Sequence, residues 1–103
     1  MRIAEFQKLI KDIYFEKDKA RGVMPTFLWI IEEVGELAEC ILKRGDNENI
    51  KEEIADVIAW IFSLANLLGI DVEEAIKSKY LDVCPKCKSR PCVCKEVKST
   101  IKL

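Results

Sequence analysis

Apolar residues recur every three to four positions over the first 80 residues, which is the spacing of one face of a helix. Each break in the pattern contains a glycine, at Gly22, Gly45 and Gly69, and glycines of this kind are typical of turns and helix ends. The chain is therefore predicted to be all-α with short connections. The expected helices cover residues 3 to about 17, 26 to 44, 48 to 68, and a last short one from an N-cap at Asp71 to Tyr80.

The connection between the second and third helices carries its own chemical signal. It reads Lys43-Arg44-Gly45-Asp46-Asn47, in which Gly45 suits a helix stop and Asp46 or Asn47 suits the next N-cap. So short a connection predicts that the two helices pack as an antiparallel hairpin. In such a hairpin, residues equally far from the turn lie level with each other.

Two pairs of carboxylates are equally far from this turn, Glu33 with Glu36 and Glu53 with Asp56. The members of each pair are three residues apart, so they lie on one face of their helix. Like charges at this spacing are unfavourable, and more so once they lose water, unless a cation lies between them. The pattern favours a site for a hard divalent cation with oxygen ligands, of which magnesium fits best. The alternative is an acidic surface that is simply solvated.

Trp29 and Trp60 obey the same hairpin register and are predicted to lie level, about one turn from the carboxylates. They are either core or subunit-interface residues or an aromatic wall for a flat ligand such as a base. Gly35, in the middle of the second helix, is unfavourable there relative to alanine, which suggests close approach of a neighbouring helix or a ligand.

The balance of charge differs between the two ends of the chain. The 103 residues sum to −1, but residues 84 to 103 carry six Lys or Arg against one acid, which leaves the rest of the chain acidic. An acidic body argues against broad nucleic-acid binding. The sequence has no histidine, which excludes Glu-x-x-His di-iron sites and histidine-based catalysis.

The size and hydropathy of the chain set further expectations. A chain of 103 residues forms one small domain whose core gains from oligomerisation, so a homodimer or homotetramer is expected. No apolar run is long enough to span a bilayer, so no membrane association and a cytoplasmic location are expected. Lys17, Lys19 and Arg21, with Asp18 among them, are interpreted as solvated charges, with a phosphate contact for one of the three cations as the alternative.

A cysteine-rich tail, residues 84–103, follows the helical domain of residues 1–83. Its spacing, CxxC-x4-CxC, predicts a compact zinc loop resembling a zinc knuckle, while redox disulfides and free thiols are the alternatives. Lys88 stands where common knuckles have glycine, which predicts a less regular turn. The predicted zinc ligands are Cys84, Cys87, Cys92 and Cys94.

The double acidic motif resembles a known family. Glu32-Glu33-x-x-Glu36, followed after sixteen residues by Glu53-x-x-Asp56, is similar to the signature of MazG-type all-α nucleoside triphosphate pyrophosphohydrolases, which include the dimeric dUTPase and dCTPase-like enzymes. The resemblance covers about residues 1 to 81. It implies a four-helix MazG-like catalytic domain built on the helix hairpin.

The resemblance also implies Mg²⁺- or Mn²⁺-dependent cleavage of a nucleoside triphosphate to monophosphate and pyrophosphate, as in removal of unwanted nucleotides. The implied metal ligands are Glu33, Glu36, Glu53 and Asp56, with Glu32 assisting and Glu32 or Glu36 taking a proton from water. Lys79 matches a basic position that closes on the phosphates, and Trp29 and Trp60 are the expected base contacts. The rival hypothesis is a non-catalytic helical dimer whose zinc knuckle makes it a nucleic-acid-binding or regulatory module.

Overall fold

The computed structural model describes residues 1–96, which contain four helices and no strand. The all-α prediction is confirmed. The chain divides into two compact units, Met1–Val72 and Glu73–Leu103, and residues 97–103 of the predicted tail lie outside the described residues. The helices are α1 (Ile3–Arg21), α2 (Val23–Leu42), α3 (Asn47–Leu68) and α4 (Val72–Lys79).

The first connection is much shorter than predicted. Helix α1 continues to Arg21, because Lys19, Ala20 and Arg21 favour helix and basic side chains suit a helix C-terminus. A single residue then separates α1 from α2, namely Gly22 with φ 95°, whose N–H donates to the Asp18 carbonyl at 2.8 Å. Pro25 lies within the first turn of α2, where a missing N–H leaves no helical hydrogen bond unmade.

The α2–α3 turn forms where predicted, with one change of role. Arg44 and not Gly45 takes the left-handed conformation, with φ 52°. The Gly45 N–H instead donates to the Cys40 carbonyl at 2.9 Å, and a Cβ at this position would lie 2.8 Å from Cys40 Sγ. Asp46 is the N-cap of α3, since its Oδ1 accepts from the Asn49 N–H at 2.9 Å.

Helix α3 ends at Gly69 as predicted, with φ 69° at that residue. A side chain of α1 satisfies polar groups beyond this end, because Gln7 Nε2 donates to Asn66 Oδ1 at 3.0 Å and to the Ile70 carbonyl at 2.8 Å. Gln7 Oε1 accepts from the Val72 N–H at 2.9 Å. These bonds and the edge contact between Phe6 and Phe62, 5.1 Å between ring centres, join α1 to α3.

The core of the described chain is small. Among its apolar side chains only Ile10, Ile30 and Ala65 are buried. Gly35 has no neighbouring atom within 4 Å of where a Cβ would be, so the close approach expected there is not made by the described chain.

No single described helix is long and apolar enough to cross a membrane, although α3 and α4 together pass that test on length and composition alone. Large apolar side chains remain exposed on α2 and α3, among them Phe27, Ile31, Val34, Ile54, Ile58 and Ile61.

Candidate active site and cysteine cluster

The hairpin brings carboxylates of α2 and α3 together. One oxygen each from Glu33, Glu53 and Asp56 lies within 4.8 Å of the other two. Glu36, one turn along α2 from Glu33, does not belong to this group. The predicted register is therefore observed, with three of the four expected ligands in mutual reach.

The electrostatics of this group favour a bound cation. Burial raises the pKa of Glu33, and so do the charges of Glu36, Glu53, Asp56 and Glu32, in that order. Burial also raises the pKa of Glu53, followed by the charges of Glu36 and Asp56. Glu33 and Glu53 are thus harder to ionise than in water, because they are partly desolvated and because their neighbours are also negative.

Glu53 shows most directly that the group lacks a partner. Its Oε2 is buried and has no hydrogen-bond partner among the described residues. Oxygens that share one Mg²⁺ at roughly 2.1 Å lie about 3 Å apart in neighbouring octahedral positions, so contraction by up to about 2 Å would complete a site. The oxygen-only donor set and the unpartnered oxygen fit a hard divalent cation.

A cavity of about 280 Å³ adjoins the group, since Asp56 lines it. Helix α1 contributes Tyr14, Lys17, Asp18 and Arg21 to its wall, and the hairpin contributes Trp29, Ala59, Trp60 and Ser63. The tryptophan rings lie 5.4 Å apart between centres and 30° from parallel, so they are level as the register predicted. Because they contact each other, a base would stack on the outside of the pair and not between the two rings.

Asp18 and Thr26, neither of which was expected to be buried, are the two most buried side chains among the described residues. Asp18 Oδ1 accepts from Arg21 Nη1 at 2.9 Å, and the same nitrogen donates to Thr26 Oγ1 at 3.2 Å. The interpretation of Asp18 as solvated is wrong, because the one-residue break at Gly22 folds Thr26 back against α1. The available signal was the Asp18–Arg21 spacing of three residues just before a glycine.

Arg21 is not a freely solvated charge either. Its guanidinium lies 4.8 Å from the centre of the Trp60 ring and 5.9 Å from that of Trp29. Such a contact between a cation and an aromatic face is favourable. The aromatic wall of the cavity is therefore covered by Arg21.

Glu32 and Lys79 have more peripheral surroundings. Glu32 is exposed on α2, and its charge contributes to the raised pKa of Glu33. Lys79 ends α4 in the second unit, with its Nζ 5.7 Å from the centre of the Tyr80 ring. The proton transfer assigned to Glu32 and the phosphate contact assigned to Lys79 stay predictions.

The second unit gathers the four predicted zinc ligands. The Sγ atoms of Cys84, Cys87, Cys92 and Cys94 all lie within 4.8 Å of one another, with 3.8 Å for the Cys84–Cys94 and the Cys87–Cys92 pairs. Tetrahedral zinc at a Zn–S distance of about 2.3 Å separates its sulfurs by about 3.8 Å. The Val93 N–H donates to Cys87 Sγ at 3.4 Å. The described thiols are free and form no disulfide.

The backbone of this segment explains how a lysine replaces the usual glycine. Lys88 adopts φ 60°, the left-handed conformation that a glycine would take most easily. Its N–H donates to the Cys84 carbonyl at 2.8 Å, and the Cys84 N–H donates to the Ser89 carbonyl at 3.0 Å. The turn expected to be irregular is therefore closed by two backbone hydrogen bonds.

The thiols differ in acidity. The Val93 N–H, more than any other group, lowers the pKa of Cys87 to about 6. Hydrogen bonds among the thiols, led by that from Cys92, raise the pKa of Cys94 to about 12. Without a cation, four thiolates do not coexist here, so the arrangement fits a soft metal such as Zn²⁺.

Comparison with known proteins agrees with this geometry. A family model described as the MazG nucleotide pyrophosphohydrolase domain matches residues 23–91, from the start of α2 into the cysteine segment. The chain belongs to this family. A relative from Cyanophage S-2L named "dATP/dGTP diphosphohydrolase" is 41% identical over 77 residues, which cover 75% of this chain and 69% of the relative. The predicted family, fold and enzyme class, a nucleoside triphosphate pyrophosphohydrolase, are confirmed.

Proposed function

We propose that the protein uses Mg²⁺, or Mn²⁺, to hydrolyse a nucleoside triphosphate between the α and β phosphates, giving monophosphate and pyrophosphate. The observation that carries this proposal is the carboxylate group of Glu33, Glu53 and Asp56, in which Glu53 Oε2 is buried without a partner. The adjoining cavity supports it, because Asp56 belongs to both. Family membership supports the reaction class.

Each residue then has a defined role. Glu33, Glu53 and Asp56 would hold the cation. A cation bound there supplies positive charge to the phosphate oxygens and acidifies an attacking water. Glu36 stands outside the close group, so it is our candidate to accept the proton from water, with Glu32 as the alternative. Trp29 and Trp60 would contact the base.

The substrates we propose are purine deoxynucleoside triphosphates. The support is the name of the cyanophage relative, which specifies dATP and dGTP, together with the aromatic wall of the cavity. Removal of particular nucleotides from the cytoplasmic pool is the corresponding biological role. Stacking of the base on this aromatic face would contribute roughly 1 to 3 kcal/mol.

Pyrophosphate release from a panel of purine and pyrimidine triphosphates tests the proposal. We expect turnover with Mg²⁺ or Mn²⁺, none with EDTA, and a preference for dATP and dGTP. Turnover that persists in EDTA would contradict the role of the carboxylates. If no triphosphate is hydrolysed by folded, metal-supplied protein, the non-catalytic alternative replaces this proposal.

We also propose a structural zinc ion in the second unit, held by Cys84, Cys87, Cys92 and Cys94. The support is geometric, since the Sγ separations of 3.8 Å in the Cys84–Cys94 and Cys87–Cys92 pairs equal those of a tetrahedral zinc thiolate site. All four carboxylates of the proposed hydrolytic site belong to the other compact unit. We therefore expect this zinc to order its own segment and to take no part in hydrolysis.

The assembly we propose is a homodimer or homotetramer. Exposed apolar side chains follow each other at helical spacing on α2 and α3, and a soluble monomer rarely exposes so continuous an apolar surface. Burial of this surface against a second copy would supply the core that one chain lacks. Sedimentation of the wild-type protein and of Ile58→Asp tests this, with loss of assembly expected for the variant. A monomeric wild-type protein would contradict it.

A further inference from the structure

Asp18 carries a feature that the fold does not explain. The residue is 2% exposed, and Oδ1 is paired with Arg21 at 2.9 Å. Oδ2 is buried and has no hydrogen-bond partner among the described residues. Native proteins seldom leave a buried carboxylate oxygen unpaired, so this oxygen calls for a further partner.

The structural role of Asp18 uses only its other polar atoms. Its carbonyl accepts from the Gly22 N–H at 2.8 Å, and Oδ1 holds Arg21, which also bonds Thr26. These contacts fasten the corner between α1 and α2. None of them involves Oδ2, so the corner alone does not account for a second buried oxygen.

The position of Asp18 suggests what its partner is. Asp18 lines the cavity that Asp56 joins to the carboxylate group, and Trp29 and Trp60 form part of the same wall. A triphosphate held at the carboxylates extends its base toward the aromatic part of that cavity. The base would displace the guanidinium of Arg21 from the Trp60 face. The Arg21 side chain is 25% exposed, so it is not locked in place by burial.

We propose that Asp18 selects substrates whose base carries an exocyclic amine, with Oδ2 accepting a hydrogen bond from that amine. This inference rests on the proposed function, since it concerns the base of the same substrate. An ionised carboxylate only accepts hydrogen bonds, so it attracts an amino group and repels a carbonyl oxygen at the same position. Adenine and cytosine, and guanine through its 2-amino group, therefore fit, whereas hypoxanthine and uracil, which carry no exocyclic amine, do not.

The test compares pairs of substrates that exchange this amine for an oxygen, dATP with dITP and dCTP with dUTP. For the wild-type enzyme we expect kcat/KM to favour the amino member of each pair by roughly 10- to 100-fold. The reason is that a base with a carbonyl in place of the amine leaves the buried Asp18 Oδ2 without a hydrogen-bond donor. In Asp18→Asn, the amide oxygen keeps the bond to Arg21 and its NH₂ replaces Oδ2. The preference should then disappear or reverse toward dITP and dUTP.

Asp12→Asn is the matched control. It is the same substitution on the same helix, but Asp12 is exposed and pairs with Lys8. It should keep the wild-type preference. A wild-type enzyme that does not distinguish the paired substrates overturns the proposal, whether or not Asp18→Asn folds. An unchanged preference in folded Asp18→Asn overturns it as well.

A binding measurement separates this inference from the proposed hydrolysis. Quenching of tryptophan fluorescence by dAMP and by dIMP reports the base contact without any bond cleavage. If dAMP binds at least about 10-fold more tightly and Asp18→Asn removes the difference, Asp18 selects the amine even in a protein that releases no pyrophosphate. If hydrolysis occurs but dAMP and dIMP bind equally, the proposed function stands and the role of Asp18 falls.

Discussion

The carboxylate group and the cysteine cluster are both candidate metal sites, but they are built differently. The carboxylates project from α2 and α3, helices of 20 and 22 residues that the hairpin holds in register. The cysteines lie on a non-helical segment after α4, where backbone turns and the thiols themselves set the positions. The helices therefore position the carboxylates before any metal binds, whereas the positions of the cysteines would depend mainly on the metal itself.

This difference has a thermodynamic consequence. Helix packing partly buries Glu33 and Glu53 and gathers like charges around them. Both effects raise the pKa values of these two residues, so the scaffold bears an electrostatic strain that a hard cation relieves. The thiol segment has no comparable packing, so binding free energy of the metal would be its folding free energy. Losing a ligand should therefore remove activity without unfolding at the first site, and should unfold the segment at the second.

The largest expected effect is on hydrolysis in Glu53→Gln. Removing one charge and the unpartnered Oε2 should lower kcat/KM by at least about 100-fold, because charge stabilisation at the reacting phosphates is lost. The helical circular dichroism should be unchanged and the metal-free protein should melt no lower than wild type. Glu48→Gln, an exposed position on α3 that pairs with Lys51, is the control and should keep full activity. Equal loss in both variants would mean that the carboxylate group is ordinary surface charge.

The second effect concerns the cysteine cluster. Purified protein should carry about one zinc per chain, and Cys87→Ser should lose it, while Cys40→Ser, the cysteine outside the cluster, should retain it. Structural zinc in comparable peptides contributes on the order of 10 to 16 kcal/mol of apparent binding free energy, enough to order a short segment. Metal analysis and proteolysis of the segment measure this. Loss of Mg²⁺-dependent hydrolysis in Cys87→Ser, with the helices intact, would show that the two sites are not independent.

A third, smaller effect is the pH dependence of the metal-free protein. Burial and neighbouring charges raise the folded-state pKa values of Glu33 and Glu53 above 4.5, so the folded chain binds these protons more tightly than the unfolded chain. Stability from this source is present below about pH 4.5 and is lost as the pH rises through the folded-state values. Lowering the pH from neutral to about 4.5 should therefore raise the melting temperature more for wild type than for Glu33→Gln/Glu53→Gln, and Mg²⁺ should reduce the difference. If the melting temperatures of the two proteins changed equally with pH, the strained arrangement of the carboxylates would be contradicted.

The smallest effect is expected from Gly35→Ala, on the carboxylate-bearing helix. No described atom would contact the new Cβ, so the greater helix propensity of alanine should stabilise the fold by roughly 0.5 to 1 kcal/mol. Gly22→Ala is the opposite control, because φ 95° strains any residue with a Cβ. Denaturant titrations measure both changes. A destabilised Gly35→Ala would locate a partner subunit against that face of α2.

The sequence predicted those features that depend on spacing alone. Helical periodicity placed α2 and α3, and equal distance from the turn brought Glu33 to Asp56 and Trp29 to Trp60. The cysteine spacing likewise predicted the thiol cluster.

The features it did not predict depend on packing across the chain. Asp18 looked like one charge in a polar run, and only the return of Thr26 against α1 buries it. At the hairpin turn, Gly45 was expected only as a helix stop. The structure gives it a second role, because its close approach to Cys40 requires the missing Cβ, while Arg44 takes the left-handed conformation. Backbone proximity of this kind leaves no periodic signal in a sequence.

The central claim is that the scaffolded carboxylates direct hydrolysis to the bond between the α and β phosphates. Phosphorus NMR of dATP incubated with Mg²⁺ and wild-type protein, beside Glu53→Gln, tests it most directly, because each product has its own resonances. The account predicts dAMP and pyrophosphate in equal amounts from wild type and unchanged dATP from the variant. Formation of dADP and orthophosphate, or equal turnover by the two proteins, would contradict it.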